Sequence, residues 1–507
     1  MQLLSKFPIH PFVLSLFFII SLYINNINEV PPSALIFPIT VSIIVITAIL
    51  IISKIINRKF EKISIYLSLI IVLVFSYGHV FLFFENFNFY ENEIRHRHIL
   101  IAYGIIFIIS ILIIKLRINS KTAMPILNAV GLTVLFSTLI LVPYADVFNN
   151  NLNTNTFMEE SIVFENNIRP DIYYIILDEY AGQKTLENYF KFNNDKFIKF
   201  LKLNGFHVMD NSNSNYVVTA LALPSMMAME YMHPSKNNVG TTDITSNLSH
   251  AYQQNNVMNF LNQNGYKTIH IHGGVSEAID IADQNLCVDK PTVDFHTLLT
   301  QTTMFWIIQK HQFIDNLNEI RFCAFDQLEI VGERNNEPIF VFAHIKLPHD
   351  PYTIGSNGET ITPKKIDFGI GSGGDKVGYL NQLEYANKRI TELIPKIISN
   401  SKSHPIIIIQ SDHGARFNIE SIHSNEETLD EEDEKILQRS YNNFNAFYFP
   451  DKSYEAIYDE MTPVNTFRII FNKIFETELE ILDDKMYFQF KDNREIFSDI
   501  TKIIRSP

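Results

Sequence analysis

Long apolar stretches dominate the first 144 residues of the chain, whereas later residues mix short apolar runs with charged positions. Five stretches approach the roughly 20 residues that a helix needs to cross a bilayer. They lie near Pro11–Tyr23, Ala34–Ile56, Ile63–Phe84, Ile99–Leu116 and Pro125–Val142. No small-residue cleavage site follows the first and shortest one, so we interpret it as a retained helix rather than a signal peptide. The pattern predicts a transmembrane helical domain of about five spans over residues 1–144.

Basic residues mark every second loop of this domain. They are Lys6 before the first stretch, Lys54, Arg58, Lys59 and Lys62 after the second, and Lys115, Arg117 and Lys121 after the fourth. Because Lys and Arg concentrate in cytoplasmic loops, the N-terminus is expected inside and everything after Tyr144 outside. We therefore predict a multi-pass protein of the cytoplasmic membrane with an extracytoplasmic soluble domain. Between the two, the polar, Asn-rich residues 145–169 are typical of a linker.

After the linker, apolar strands alternate with amphipathic helices. The segments "DIYYIILDEY", "EPIFVFAHIKLPHDPY" and "HPIIIIQSDHG" each contain an unbroken apolar run, which is typical of strands buried on both faces. The segment "VMNFLNQNGYKTIHIHGG" has helical spacing up to a glycine and then becomes a strand. This alternation predicts an α/β domain over residues 170–507, with a mostly parallel, doubly wound sheet. Two further segments, "GIGSGGDK" and "SNEETLDEEDEK", are predicted to be solvated loops.

Composition narrows the classes of function. The formal net charge of −14 argues against nucleic acid as a partner, because binding phosphates requires a basic surface. Transport is not favoured, because the apolar stretches contain almost no charge near their centres. Two cysteines, Cys287 and Cys323, are too few for a disulfide framework. They could form one bond outside the cytoplasm or remain two buried thiols, and the sequence leaves both alternatives open.

Three of the predicted strands end in acidic and imidazole side chains. These are Asp178 with Glu179, His344 followed by His349 and Asp350, and Asp412 with His413. In a doubly wound sheet, such strand ends converge on the edge where ligands bind. Carboxylate oxygens and imidazole nitrogens suit Zn²⁺ or Mn²⁺, and we expect one divalent metal ion. His270 and His272, which alternate along another strand, are expected to be structural.

A nucleophile is predicted at the start of the segment "TALALPSMMAMEYM". Thr219 lies between an Asn- and Ser-rich turn and an apolar helical run. A helix N-terminus carries partial positive charge and free N–H groups, which favour an alkoxide or a phosphate. The alternative is that Thr219 is a plain helix N-cap.

Four ordered motifs together resemble the alkaline phosphatase superfamily: "IILDEY", "TALALPSM", "LPHDPY" and "SDHG". Within it, the chain is similar to membrane-anchored phosphoethanolamine transferases and lipoteichoic acid synthases, which are grouped with sulfatase-like proteins. These families also place several membrane helices before an extracytoplasmic catalytic domain. The resemblance covers roughly Pro170 to Phe449 and implies an alkaline phosphatase- or sulfatase-like fold.

The resemblance also implies roles for individual residues. Thr219 matches the nucleophile, which is also a metal ligand, while Asp178, Asp412 and His413 match the other metal ligands. His349 matches a histidine that contacts the substrate phosphate or a second metal. Separately, Arg416 follows the metal pair closely and could hold a phosphate oxygen bidentately, although a surface salt bridge is an equal alternative.

Several positions depart from the family patterns. Glu179 stands where close sulfatase-like sequences often have glycine, and it could be a metal ligand or a surface residue. The cysteine-rich pattern of many phosphoethanolamine transferases is absent, which weakens that particular substrate. Sulfatases make formylglycine within a Cys/Ser-x-Pro-x-Arg pattern, but Ala222 and Met226 stand two residues before and after Pro224.

The expected function is a metal-dependent transfer of a phosphoethanolamine or phosphoglycerol group through a phospho-threonine intermediate. The donor would be a phospholipid and the acceptor a cell-envelope glycan or lipid. Two alternatives remain: a sulfatase-like hydrolase acting as a phosphodiesterase or phosphatase, and a non-catalytic membrane sensor with the same fold.

Overall fold

A computed structural model describes most of the chain. The described residues are 7–25, 32–56, 60–86, 96–140, 169–232, 244–274, 278–288, 295–335, 337–363, 375–490 and 497–506. The chain forms two compact units, one of residues 1–148 with 293–313 and the other of residues 149–292 with 314–507. The predicted linker, apart from Arg169, and most of the glycine-rich loop lie outside the described residues.

The first unit contains a helix at each of the five predicted stretches. They are α1 (His10–Asn25), α2 (Ile36–Ile56), α3 (Phe60–Asn86), α4 (His96–Leu116) and α5 (Ser120–Ile140). Within the described residues, α2, α4 and the part of α3 up to Phe81 are long and apolar enough to cross a membrane, while α1 is a shorter apolar helix. Large apolar side chains such as Ile55, Ile101 and Ile108 are exposed on α2 and α4. Outward-facing apolar surface of this kind is suited to lipid rather than water.

Polar side chains join these helices on the inside. Asn128 of α5 accepts the backbone N–H groups of Ile9 and His10 at 2.8 Å each, and so satisfies the start of α1. The His10 ring in turn contacts Ser64 and Ser68 of α3. This network supplies hydrogen-bond partners for four buried polar residues of the unit, His10, Ser64, Ser68 and Asn128.

The first unit also contains a later piece of the chain. Residues 293–313 belong to it, although the sequence pattern assigns all of 170–507 to one domain. They comprise α11 (Phe295–Gln301) and the beginning of α12 (Trp306–Ile330). The grouping has a packing cause, because Phe295 is buried against Ile19 and Tyr23 of α1.

The second unit is built on a seven-stranded sheet within the described residues. Its strands are β1 (Ile172–Leu177), β2 (His207–Val208), β3 (Lys267–Gly273), β4 (Gln284–Leu286), β5 (Ile339–Ile345), β6 (Ile406–Gln410) and β7 (Asn445–Tyr448). Their order is β2-β7-β6-β1-β5-β3-β4. Every pair from β6 to β4 is parallel, and only β7 runs antiparallel to its neighbours. The predicted mostly parallel α/β sheet is therefore confirmed.

Helices cover both faces of this sheet. They are α6 (Gln183–Asn188), α7 (Asp195–Leu203), α8 (Thr219–Ala228), α9 (Ile244–Gln253), α10 (Asn256–Gln263), the later part of α12, α13 (Lys376–Asn400), α14 (Glu431–Tyr441), α15 (Thr466–Phe475) and α16 (Thr501–Ile504), with a small hairpin of β8 (Tyr487–Phe488) and β9 (Ser498–Asp499). Along β1, Tyr173 and Ile175 enter the core shared with α12 and α13. Tyr174 and Ile176 enter the opposite core, shared with α8, α10 and α15. Because both faces are buried, β1 and β6 carry the unbroken apolar runs seen in the sequence.

The two cysteines form a disulfide. Cys287, directly after β4, is bonded to Cys323 of α12. This outcome resolves the alternatives that the sequence left open. A persistent disulfide is typical of proteins outside the cytoplasm.

Candidate active site

The candidate site lies where β1, β5 and β6 end side by side. β1 pairs with β5 on one side and with β6 on the other, so the residues that follow these strands are neighbours. Asp178 follows β1 directly, and its backbone N–H donates to the carbonyl of Ile345 at 3.0 Å. Asp412 and His413 follow β6, and His344 lies within β5. The carboxyl edge of the parallel strands therefore brings the predicted strand ends together.

Thr219 is the first residue of α8, and its hydroxyl faces this edge. Oγ1 donates a hydrogen bond to Asp412 Oδ2 at 2.8 Å and lies 3.3 Å from His413 Nε2. The N-cap of α8 is Val218, which makes no side-chain cap bond, so the plain N-cap alternative for Thr219 is wrong. The hydroxyl lies at the positive end of α8, beside two buried ionisable groups.

Asp178 and His344 are the least satisfied pair in the site. Both are at most 1% exposed. Within the described part of the chain, neither carboxylate oxygen of Asp178 and neither ring nitrogen of His344 has a hydrogen-bond partner. His344 Nε2 lies 3.4 Å from Asp178 Oδ2, and one atom each of Asp178, His344 and Asp412 lie within 4.8 Å of one another. Because an uncompensated buried carboxylate is costly, this donor set fits a divalent cation.

His413 is held as a neutral imidazole beside these acids. Its Nε2 lies 3.4 Å from Asp412 Oδ2 and 3.7 Å from Asp178 Oδ1, while its Nδ1 donates to the Gly414 carbonyl at 2.9 Å. Burial lowers the pKa of His413, and the opposing attraction of the Asp412 carboxylate is too small to offset this effect. Burial opposes ionisation of Asp178, but His349, His344 and His413 outweigh it and hold the pKa of Asp178 below its ordinary value. An ionised carboxylate and a neutral imidazole are the metal-binding forms of both groups.

A second buried cluster contains Glu179, His349, Asp350 and Arg416. His349 Nδ1 lies 2.7 Å from Asp350 Oδ1, and Arg416 Nη2 lies 2.8 Å from His349 Nε2. Glu179 Oε1 accepts the backbone N–H of Arg416 at 2.8 Å, and its Oε2 lies 3.8 Å from His349 Nε2. Burial lowers the pKa of His349, but Asp178 and Asp350 outweigh it and raise the pKa above its ordinary value. This cluster is organised by its own ion pairs and hydrogen bonds.

The two alternatives that placed Glu179 and Arg416 at the surface are wrong. Glu179 is 4% exposed and Arg416 5%. Glu179 has a φ of 64°, a left-handed conformation that favours glycine, so its presence costs roughly 1–2 kcal/mol. Its carboxylate nevertheless holds the loop that carries Arg416. The Nε of Arg416 is buried without a hydrogen-bond partner in the described structure, and it remains able to bind an anion.

Two basic residues near the site had not been assigned from the sequence. Arg321 of α12 is fully buried and donates to Thr353 Oγ1 at 2.9 Å and to Gln382 Oε1 at 3.1 Å, which fixes the loop after His349. Lys346 directly follows β5, and burial lowers its pKa against the attraction of Asp350 and Asp178. Sequence reasoning had a signal for Lys346, which lies between His344 and His349, but none for Arg321.

His270 and His272 of β3 lie on the same face of the sheet as His344. His272 is the register partner of His344, and His270 that of Phe342. His270 Nδ1 lies 2.9 Å from Asn285 Oδ1, as expected for a structural histidine. Burial lowers the pKa of His270 to about 3 and that of His272 to about 4, so both rings are neutral at pH 7.

Comparison with known proteins gives one family. The family model described as Sulfatase matches residues 170–481, which is more than half of the 507-residue chain. This match confirms the resemblance to sulfatase-like proteins that the four motifs indicated. A search of the curated proteins gives no match.

Several solved structures resemble the chain at low identity. The integral membrane protein lipooligosaccharide phosphoethanolamine transferase A (EptA) from Neisseria meningitidis is 13% identical, with 93% of this chain and 95% of that chain covered and a TM-score of 0.40. The zinc complex of the C-terminal periplasmic domain of EptC from Escherichia coli is 12% identical, with 66% and 93% covered and a TM-score of 0.44. The corresponding domain of phosphoethanolamine transferase EptC from Campylobacter jejuni is 13% identical, with 62% and 92% covered and a TM-score of 0.37. The family match, rather than these similarities, identifies the chain.

Proposed function

The chain belongs to the sulfatase family, and on this premise we propose that it is a membrane-anchored, metal-dependent transferase of phosphoethanolamine or phosphoglycerol groups. One observation carries the proposal. The Thr219 hydroxyl lies 2.8 Å from Asp412, beside the Asp178–His344 pair whose buried polar atoms lack partners in the described chain. The residues that flank Pro224 do not fit formylglycine formation, so a threonine nucleophile is the alternative that the site supports.

The proposed reaction has two displacements at phosphorus. In the first, Thr219 Oγ1 attacks the donor phosphate, an Oγ1–P bond forms, and the bond from phosphorus to the lipid alcohol breaks. The hydroxyl proton leaves through the Asp412 carboxylate, which already accepts its hydrogen bond. His349, buried in the second cluster, supplies the proton that the departing alkoxide takes up. In the second displacement, an acceptor hydroxyl attacks phosphorus and gives its proton to His349, while the Oγ1–P bond breaks and Thr219 regains its proton from Asp412.

The residues divide into two groups with different tasks. Asp178, Asp412, His413 and Thr219 would hold the divalent ion, with His344 beside them. When bound, such an ion polarises a phosphate oxygen and favours the alkoxide form of the nucleophile. Arg416 and His349 would bind the remaining phosphate oxygens, since the guanidinium keeps one buried donor free. Zn²⁺ and Mn²⁺ are both compatible with this mixture of oxygen and nitrogen donors.

The membrane unit supports a lipid donor. The helices α2, α3 and α4 are long and apolar enough to cross a bilayer. The charge pattern of the loops and the Cys287–Cys323 disulfide both favour an extracytoplasmic location for the second unit. A phospholipid would then supply the transferred group, and an envelope glycan or lipid would accept it.

Mass spectrometry of envelope lipids and glycans would test the proposal. Cells with the wild-type protein should carry a phospho-substituent that is absent with Thr219→Ala and reduced with Thr219→Ser, which retains a hydroxyl. Peptides of the purified wild type quenched with donor lipid should contain phosphorylated Thr219. Unchanged turnover in Thr219→Ala would contradict the assignment of the nucleophile.

Hydrolysis is the second candidate, because water could resolve the same intermediate. Purified protein that releases the free phospho-alcohol from donor lipid, without any labelled envelope component, would identify a phosphodiesterase. A non-catalytic sensor would show neither reaction. The chemically competent side chains at positions 178, 219, 412 and 413 favour an enzyme over that alternative.

A further inference from the structure

The segment Phe295–Gln309 contains no Asp, Glu, Lys or Arg, and it includes the only tryptophan of the protein, Trp306. The segment forms α11, a turn at residues 302–305, and the start of α12. It belongs to the same compact unit as the membrane helices. Its role is not part of the catalytic proposal.

Residues 295–309 form a helical hairpin, and its contacts described here lie at one end of the bundle of α1–α5. Phe295 contacts Tyr23 near the end of α1, and His296 contacts Phe37 at the start of α2. Met304 and Ile307 pack against the cluster formed by Tyr77 of α3 with Ile99 and Tyr103 near the start of α4. These positions lie away from the basic loops after α2 and α4. The hairpin therefore approaches the bundle from the end that the charge pattern places outside the cytoplasm.

The turn of the hairpin is hydrogen-bonded to the backbone of a membrane helix. The N–H of Gly78 donates to the Thr302 carbonyl at 2.9 Å, and the N–H of Met304 donates to the Val74 carbonyl at 3.0 Å. Gly78 N–H and Val74 C=O are four residues apart and would bond to each other in an uninterrupted α-helix. A Cβ at Gly78 would lie 2.2 Å from the Gln301 carbonyl oxygen. Glycine is therefore required for this close approach.

The depth of the contact can be read from α3. Among the described residues, its span-length apolar part ends at Phe81, and the apolar sequence continues to Phe84. At a rise of 1.5 Å per residue, Gly78 and Val74 lie about 5 and 10 Å inside Phe81. The tip of the hairpin is thus at the depth of the acyl chains.

The N–H groups of the turn are satisfied as a bilayer requires. The N–H groups of residues 302, 303, 304 and 306 donate to the carbonyls of Leu298, Thr300, Val74 and Thr303, and that of Phe305 donates to Thr303 Oγ1 at 3.2 Å. A surface loop can leave such groups to water, whereas irregular backbone in a membrane needs protein partners. The side chains of Phe305 and Ile308 are nevertheless 56% and 77% exposed.

We propose that residues 295–309 form a re-entrant hairpin that enters the outer leaflet, with Phe305 and Ile308 in contact with lipid acyl chains. The occupant of this apolar surface is the bilayer, because the surface is continuous with helices that span it and its turn leaves no N–H between residues 302 and 306 unpaired. The hairpin gives the soluble part of the sequence a second attachment to the membrane, independent of the spans that precede it.

A nitroxide depth measurement on the full chain in lipid nanodiscs would test this. The only two cysteines are joined in a disulfide, so an introduced thiol is labelled uniquely. The test position is Ile308→Cys, and the matched control is Leu203→Cys on α7, an apolar residue with 78% exposure in the second unit. Collisions with oxygen should exceed those with a water-soluble nickel chelate several-fold at position 308, with the reverse at position 203. Chelate access at 308 equal to that at 203 would overturn the proposal, as would low collision rates with both probes, which indicate a protein partner.

A pair of glycine variants provides a second measurement. Gly78→Val should displace the turn and increase chelate access at a nitroxide on position 308 several-fold. Gly104→Val on α4 is the control, because a Cβ there meets no atom within 4 Å. Equal behaviour of the two variants would contradict the docking of the hairpin on α3.

Discussion

The two buried clusters at the edge of the sheet contain the same types of side chain and differ in how they are satisfied. In the cluster of Asp178 and His344, four acceptor or ligand atoms have no hydrogen-bond partner in the described structure, and no Lys or Arg side chain there forms an ion pair with Asp178. In the cluster of Glu179, His349 and Asp350, Arg416 supplies a guanidinium and contacts two of the three. Among the described residues, the first cluster has no guanidinium in direct contact, and the second has one. Composition alone would have assigned a metal to both.

This contrast supports different proposed ligands for the two clusters. A group of acceptors without a donor is stabilised by a divalent ion. A cluster that already contains a guanidinium with a free Nε, and that has Lys346 nearby, is suited to an anion. Adjacent sites for a metal and for a phosphate are what phosphoryl transfer requires. Variants in each cluster should therefore fail in different ways.

The largest effect is expected from Asp178→Asn, which removes the unpaired carboxylate from the first cluster. Loss of the metal would remove several kcal/mol of transition-state stabilisation, on the order of 10³-fold in rate. Turnover of donor lipid and metal content by elemental analysis would check this together. A variant that kept its activity without bound metal would contradict the assignment of the first cluster as the metal site.

The stability of the purified protein should reveal the same site without any substrate. A metal at 100 times its dissociation constant stabilises a folded protein by about 2.7 kcal/mol. Addition of Zn²⁺ or Mn²⁺ after chelation should raise the melting temperature of the wild type and leave that of His413→Gln nearly unchanged. Equal shifts in both proteins would exclude His413 from the metal site.

A smaller effect is expected from Arg416→Gln in the second cluster. Loss of a charged hydrogen bond to phosphate costs about 1.5–3 kcal/mol, roughly 10- to 100-fold in kcat/KM. The metal content and the metal-induced rise in melting temperature should stay at wild-type values. A variant that lost its metal as well would show that the two clusters form one site.

The smallest effect is expected at a third acidic group, which serves as the control. His423, Asp430 and Asp433 are close enough to hold an ion, but Asp430 and Asp433 form the capping box of α14. His423→Gln should leave the metal content and the turnover unchanged. Loss of a bound ion in this variant would show that carboxylates with hydrogen-bond partners also bind metal. The lack of partners in the first cluster would then no longer identify the metal site.

Much of this arrangement could be predicted, because its residues follow strands. Asp178 comes directly after an unbroken apolar run, Asp412 and His413 follow another within four residues, and parallel strands place such ends together. Thr219 was predictable from the polar-to-apolar change at the start of α8. Arg321 was not, because a single arginine in a long helix has no local signal of burial. Glu179 was ambiguous because its orientation depends on a left-handed backbone conformation that the sequence does not encode locally.

The hairpin could not be predicted from the sequence, for a different reason. Its apolar runs are shorter than a bilayer span and are interrupted by Thr and Gln, so hydropathy assigns them to a soluble domain. The relevant signal is Gly78, more than two hundred residues earlier, which becomes meaningful only when its neighbour is known. Pairings over such distances are fixed by tertiary packing rather than by local pattern.

The bonds between Gly78, Val74 and the turn also impose an order on biogenesis. The ribosome completes α3 long before residues 302–304 emerge, so the newly inserted helix first bonds Gly78 to Val74 within itself. Gly78 and Val74 can form their final hydrogen bonds, to Thr302 and Met304, only after the hairpin has crossed the membrane and packed against the outer end of α3. The packing of the membrane part of this protein therefore cannot be complete until residues 302–304 have been made, about two hundred residues after α3.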